Sequence, residues 1–100
     1  MNDRLLGTLG LCRRARRMVI GRDTVIAAIE DGSATLVLCA ADFSDNSRKA
    51  VERAAGNRGV TFIRLVTDMD ALSCALGKTC GVLGVTDEGF AEKIRLLLDS

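Results

Sequence analysis

The run TLVLCA at residues 35–40 is continuously apolar and lies near the middle of the chain. Strands with this composition are covered by helices on both faces, because neither face meets water. We therefore place residues 35–40 at the centre of a β-sheet. Residues 18–20, 60–66 and 82–85 are the other predicted strands. Arg64 is a charge inside one of them, which predicts an exposed position at a sheet edge or rim.

The segments between these strands have helical periodicity. Apolar residues recur at spacings of three and four in five segments, as they do in helices with one buried face. The predicted helices cover about residues 3–17, 22–31, 45–56, 67–76 and 87–98. Helices that alternate with strands predict an α/β fold, a three-layer α-β-α sandwich with a mixed, roughly four-stranded sheet. One hundred residues without a Pro-rich or Ser-rich linker predict that residues 1–100 form a single domain.

Several polar residues stand where a helix begins. Asn2 or Asp3 would cap the first helix, and Asp42 or Ser44 the third, through hydrogen bonds to free N–H groups. Asp87 opens the last helix. Asp42 and Asp87 also follow apolar strands, where α/β enzymes often place catalytic acids. We interpret both as helix caps.

The composition limits the chemistry that the chain can perform. The chain has no histidine, and none of its four cysteines is two residues from another, so metal-ligand spacing is absent. No cysteine has an obvious base beside it. We therefore expect no catalytic residue, no metal and no cofactor. Cysteines in apolar contexts predict reduced thiols in a cytoplasmic protein. We expect no signal peptide and no membrane span, because no apolar stretch is long enough.

Residues 13–24 are the most charged segment of the chain. Five arginines fall within ten residues here, and one acid, Asp23, accompanies them. The arginines are Arg13, Arg14, Arg16, Arg17 and Arg22. The segment ends the first helix and enters the second through Gly21, which would bring a cationic patch next to the N–H groups of a helix N-terminus. Such a junction suits a polyanion.

Two interpretations of this basic junction remain open. It either contacts a nucleic-acid backbone or is a solvated face whose arginines complement the helix dipole. The net charge is only +1, so the attraction would be local. Three phenylalanines are the only aromatic residues, which argues against stacking of single-stranded bases. If the partner is a nucleic acid, structured RNA recognised through shape and backbone fits best.

Two consecutive segments resemble the superfamily of ribosomal and related proteins that bind kink-turn RNA. They are GRDTVIAAIEDG at residues 21–32 and LVLCAAD at residues 36–42. The segments at residues 6–15 and 86–91 are most similar to a bacterial branch of that superfamily, the YlxQ-like branch. The resemblance covers nearly the whole chain. It implies the α-β-α sandwich that the residues predict independently.

The resemblance also implies where RNA would dock. At the start of its second helix the family presents an Asn-Glu pair and, three residues after the Glu, a Lys. These positions hold Asp23, Thr24 and Ala27 here. In the family, a loop before the last strand lays apolar side chains on a flipped-out nucleotide, and it corresponds to residues 78–82. Asp23 adds a negative charge, Thr24 has a shorter reach, and Ala27 lacks the cation.

We therefore predict a non-enzymatic protein that binds structured RNA, either ribosomal or kink-turn-like, with altered recognition residues. Ribosome association is part of this expectation, and no membrane or metal partner is expected. The candidate RNA contacts are Arg13, Arg14, Arg16, Arg17, Gly21, Arg22, Asp23, Thr24, Ala27, Lys78, Thr79 and Cys80. The alternative is a protein-interaction module that keeps the fold without specific RNA binding, and an enzyme is a distant third.

Overall fold

The computed structural model describes residues 3–99 as five helices and four strands. The helices are α1 (Asp3–Arg14), α2 (Arg22–Glu30), α3 (Asp45–Arg58), α4 (Met69–Leu76) and α5 (Glu88–Asp99). The strands are β1 (Met18–Ile20), β2 (Leu36–Cys39), β3 (Thr61–Arg64) and β4 (Val82–Val85). The order of elements is the predicted one.

The four strands form one mixed sheet in the order β1-β4-β2-β3. β4 runs antiparallel to both of its neighbours, whereas β2 and β3 are parallel. β2 is an interior strand and all four of its residues are buried, as its apolar run predicted. Arg64 is exposed at the end of β3, which is an edge strand, so the position inferred from its charge is confirmed.

Side chains of successive strand residues point to opposite faces, which divides the core into two layers. On one face, Leu36 and Leu38 pack with residues of α1, α4 and α5. On the other face, Val37 and Cys39 pack with residues of α2 and α3. This is the predicted three-layer sandwich. Among residues 3–99, no helix combines the length and apolar character needed to cross a membrane.

Three helix ends differ from the prediction by two residues or more, and one of them is the start of α4, which begins at Met69 instead of residue 67. α1 stops at Arg14, three residues before its predicted end at Arg17. α3 continues through Gly56, where we expected it to stop, and ends before Gly59, which has a φ of 68°. A glycine inside a helix costs about 1 kcal/mol relative to alanine, and α3 tolerates that cost at Gly56. Gly59 ends α3 because it adopts the left-handed conformation.

The predicted caps divide into confirmed and wrong ones. Asp87 caps α5, because its Oδ2 accepts the Phe90 N–H at 2.9 Å. Asp42 does not cap α3. Its Oδ1 instead accepts the N–H of Met69 at 2.8 Å, at the start of α4. The loops that follow β2 and β3 lie at the same end of the sheet, so Asp42 reaches the neighbouring helix.

The remaining caps involve the starts of α3 and α1. Ser44 occupies the N-cap position of α3 without a side-chain hydrogen bond to the helix. The predicted caps of α1 cannot be compared: Asn2 and the side chain of Asp3 lie outside the part of the chain that the structure describes.

Gly81 lies against the ring of Phe43 at the start of β4. A Cβ on Gly81 would be 2.5 Å from Cδ1 of Phe43 and 3.2 Å from the terminal methyl of Met69. The Gly81 carbonyl also accepts the Ala40 N–H at 2.8 Å, which limits how far the backbone can retreat. Glycine is therefore required here for close packing.

Gly81→Ala should lower the free energy of unfolding by about 1–3 kcal/mol, the usual cost of overpacking. The matched control is Gly56→Ala, because a Cβ there meets nothing within 4 Å. That change should raise the free energy of unfolding by about 1 kcal/mol through helix propensity. Urea unfolding of both variants measures the difference, and an unchanged Gly81→Ala variant would contradict the packing described for Phe43.

Candidate nucleic-acid interface

Four chain segments meet at one end of the sheet, which we call the upper end. They are the segments that follow β1, β2 and β3 and the loop at residues 77–81 that precedes β4. The Gly21 N–H donates to the Val82 carbonyl at 3.1 Å, and the Ala40 N–H to the Gly81 carbonyl at 2.8 Å. The first bond fixes the start of α2 next to the 77–81 loop, and the second joins that loop to the end of β2.

The first turn of α2 is open to solvent at the upper end. Gly21 precedes it with φ 104° and ψ 149°, a conformation that glycine adopts at little cost. Within residues 3–99, no side chain caps this helix. The first N–H groups of a helix have no partner inside it and carry a partial positive charge. The turn can therefore accept a phosphate or another anion.

Three residues that the sequence resemblance indicated share one face of this turn. Asp23, Thr24 and Ala27 are all exposed, and spacings of three and four residues place them side by side. Arg22 is also exposed, at the start of the same turn. The structure thus brings together the residues that the resemblance had indicated. They offer a carboxylate, a hydroxyl and a methyl group to a ligand.

The 77–81 loop contributes two exposed side chains to the upper end, those of Lys78 and Thr79. Cys80 is different, since only 1 % of its surface is exposed. Its N–H donates to Ser73 Oγ at 2.9 Å, and burial raises the pKa of its thiol to about 11. The Cys80 side chain is therefore withdrawn from the surface and anchors the loop. Its apolar sequence context was the signal for this role.

The arginines that precede β1 lie at the other end of the sheet, the lower end. Met18 pairs with Val85, the last residue of β4, and the Thr86 N–H donates to the Arg17 carbonyl at 2.9 Å. About 13 Å of extended chain separates Arg17 from Gly21. The sequence suggested one continuous junction, but β1 divides it into an arginine half and a helix-start half.

Arg13 has an intramolecular role. Its guanidinium donates to the Leu76 carbonyl at 2.8 Å, and the residue is half-buried. Cations stabilise the carbonyl end of a helix, so Arg13 complements the C-terminus of α4. One N–H group of Arg13 is therefore engaged within the chain. Arg14, Arg16 and Arg17 are exposed.

Arg16 closes α1 in an unusual conformation for a side-chain-bearing residue, with φ 61°. Its N–H donates to the Arg13 carbonyl, and the Arg17 N–H donates to the Cys12 carbonyl. These two bonds form a Schellman motif, in which the left-handed position is usually glycine. The motif turns the chain sharply and leaves Arg16 and Arg17 pointing outward at the lower end.

Sequence reasoning missed one candidate contact at the upper end. Val66 was assigned to a strand, but β3 ends at Arg64 and Val66 is 96 % exposed. It lies in the turn between β3 and α4, where an apolar side chain has no packing role. The Thr67-Asp68 pair that follows it was the available signal, because Asp68 caps α4 by accepting the Ala71 N–H.

Comparison with known proteins shows the family to which the chain belongs. The model of the Ribosomal protein L7Ae/L30e/S12e/Gadd45 family matches residues 3–95, and the chain belongs to that family. The chain is 40 % identical over 92 residues to the RNA-binding protein YlxQ of Bacillus subtilis (strain 168), covering 91 % of each chain. It is 29 % identical over 97 residues to the RNA-binding protein YlxQ of Enterococcus faecium, covering 97 % of this chain and 93 % of the relative.

Two solved structures share the architecture. A protein of unknown function from Bacillus halodurans C superposes with a TM-score of 0.89 and 32 % identity, over 96 % of this chain and 97 % of that one. The Giardia lamblia 15.5kD RNA binding protein gives a TM-score of 0.74 over 95 % of this chain and 82 % of its own, at 18 % identity, which shows the shared fold alone. The resemblance inferred from the sequence is confirmed.

Substitutions of Arg16 test whether its positive φ destabilises the turn that follows α1. Arg16→Gly should raise the free energy of unfolding by about 1 kcal/mol, because glycine adopts positive φ without a Cβ clash. Arg16→Ala is the matched control, since it removes the same charge and keeps the clash. Thermal unfolding compares the two variants. Equal stability of the glycine and alanine variants would contradict the conformation described for residue 16.

Proposed function

We propose that this chain is a non-enzymatic protein that binds structured RNA at the upper end of its sheet. The observation that carries the proposal is the uncapped first turn of α2, held beside the 77–81 loop by the Gly21–Val82 hydrogen bond. Arg22 and Lys78 supply cations on either side of it. Membership of the family and two relatives named RNA-binding protein support the same partner.

The side chains at this turn favour binding to the RNA backbone over reading of bases. In the family, as the resemblance implies, Asn, Glu and Lys contact the sheared base pairs next to the kink. Asp23 repels phosphate, Thr24 has a shorter reach than Glu, and Ala27 offers no charge. Helix N–H groups and the two cations remain, and they recognise phosphate whatever the sequence. Kink-turn-like or ribosomal RNA is the candidate target, bound with reduced discrimination.

The exposed arginines of the lower end would add a second set of backbone contacts. β1 is an edge strand, so an RNA stem that leaves the α2 turn can follow that edge toward Arg17. The distance of about 13 Å between Gly21 and Arg17 is smaller than the width of a duplex RNA stem. Arg16 and Arg17 would each meet phosphates there, raising affinity without adding sequence information.

The carboxylate of Asp23 at the start of α2 favours a second candidate function. A carboxylate at the start of α2 complements the helix dipole by itself, so the turn needs no external anion. Under this alternative, the chain keeps the fold as a protein-interaction module and does not bind RNA specifically.

Restoring the family residues should restore kink-turn recognition. We expect wild-type protein to bind a kink-turn RNA and an unkinked duplex of equal length with similar affinity. The variant Asp23→Asn, Thr24→Glu, Ala27→Lys should bind the kink-turn RNA at least about tenfold more tightly, because one good base contact contributes about 1–3 kcal/mol in DNA readers. Fluorescence anisotropy at low salt measures both affinities.

The triple variant adds one net positive charge, so its control is Glu30→Gln, which does the same at the far end of α2. The control should not discriminate between the two RNAs. Absence of wild-type binding to either RNA would contradict RNA binding and favour the protein-interaction module. A triple variant that gains equally on both RNAs would contradict the docking position at α2.

The exposed arginines of the lower end should contribute to the salt dependence of RNA binding. Each phosphate contact contributes about 0.7–0.9 to the slope of log K against log salt concentration. Arg16→Ala with Arg17→Ala should therefore reduce the slope by about 1.4–1.8 while the preference between RNAs stays unchanged. Lys49→Ala with Arg53→Ala removes two exposed cations from α3 and is the control. Equal slopes for the two double variants would exclude the lower end from the RNA interface.

A further inference from the structure

A groove between α1 and α5 is left unused by the proposed RNA site. Its volume is about 420 Å³, and its floor includes Gly7, Leu11 and Leu97. Half of the Leu11 surface is exposed, at 49 %. The groove lies on the face of the sheet that carries α1, α4 and α5. It is remote from the first turn of α2, which packs on the opposite face.

Three cations surround this apolar floor. Arg4 and Arg14 lie at the two ends of the groove on α1, and Lys93 lies on α5. Within residues 3–99, none of these three side chains forms a described ion pair or hydrogen bond. Glu92 is the neighbouring acid on α5 and is exposed, next to Lys93 in sequence. The groove lining itself contains three positive charges and no negative one.

The α1 side of the groove has the spacing of a helix-docking stripe. Arg4, Gly7, Leu11 and Arg14 follow one another at intervals of three, four and three residues, which keeps them on one helical face. The stripe is about 15 Å long, the length of roughly three helical turns. A third helix can lie between α1 and α5 in the way that amphipathic helices occupy apolar grooves.

Gly7 supplies an independent reason to expect an occupant. A glycine inside a helix is destabilising relative to alanine, so its presence normally reflects close packing. At Gly10, a Cβ would be 3.4 Å from the Ala75 carbonyl of α4. At Gly7, a Cβ would meet nothing within 4 Å. The fold itself does not require a glycine at position 7, and its missing side chain leaves a notch in the floor of the groove.

We propose that the α1–α5 groove docks an acidic amphipathic helix of a protein partner. Apolar side chains of that helix cover Leu11 and fill the notch at Gly7, and its carboxylates pair with Arg4, Arg14 and Lys93. Charge complementarity selects an acidic partner. The apolar floor favours a peptide over RNA, because phosphates leave Leu11 uncovered. This function is separate from RNA binding at the upper end.

The test is an NMR titration of the full chain with a synthetic helical peptide of about fourteen residues, long enough to span the stripe. Its leucines follow an i, i+3, i+4, i+7 pattern on one face and are flanked by glutamates. We expect amide shifts at Gly7, Leu11 and Lys93. A scrambled peptide of the same composition, and one with lysine in place of each glutamate, should bind at least about tenfold more weakly.

Two variants and one control variant test whether the peptide binds in the groove. Lys93→Glu and Gly7→Leu should each weaken peptide binding about tenfold, by charge repulsion and by filling the notch. Arg53→Glu, an exposed charge reversal on α3, should leave it unchanged. All three should keep wild-type RNA affinity, so failure here is distinguishable from failure of the proposed function. Circular dichroism confirms that each variant is folded.

Four results would overturn the proposal. The first is no shift at Gly7, Leu11 or Lys93 with millimolar peptide, and the second is equal binding of the scrambled or lysine peptide. The third is displacement of the peptide by duplex RNA with the same residues shifted, which would assign the groove to RNA. The fourth is a wild-type dimer in sedimentation that Leu11→Ser dissociates, which would make a second copy of the chain the occupant.

Discussion

The antiparallel pairing of β1 with β4 is the constraint on which the candidate site depends. The pairing of Ile20 with Leu83 continues into the hydrogen bond from the Gly21 N–H to the Val82 carbonyl. That bond sets the first turn of α2 beside the loop that precedes β4, so two segments about sixty residues apart in sequence form one surface. The same pairing carries Arg17 to the opposite end of the sheet, because its carbonyl accepts the Thr86 N–H.

Much of the fold is predictable because its signals are local. The apolar run of β2 indicates burial on both faces, and the charge of Arg64 indicates an edge. What the sequence could not give is which distant groups meet. The partner of Arg13 is 63 residues away at Leu76, and Asp42 caps a helix that begins 27 residues later. These contacts depend on strand order and direction, for which a single sequence carries no local signal.

In the candidate site too, local features were predictable from the sequence and contacts between distant segments were not. The first turn of α2 was predictable from Gly21 and the residues after it, since a helix start is a local feature. The apolar context of Cys80 indicated its burial, but its hydrogen bond to Ser73 was not predictable, because it depends on how the 77–81 loop lies. Exposure of Val66 depends on β3 ending at Arg64, and strand ends are set by the neighbouring strand. Asp23, Thr24 and Ala27 share one exposed face at the start of α2, which only the folded chain shows.

The most direct test of RNA docking on the first turn of α2 is a map of backbone amide shifts when a kink-turn RNA is added to the full chain. We predict the largest shifts at residues 21–24 and at Lys78 and Thr79, with smaller ones at Arg16 and Arg17. We also predict that residues of the α1–α5 groove show no shift. Shifts confined to the lower end, with residues 21–24 unaffected, would contradict RNA docking on the first turn of α2.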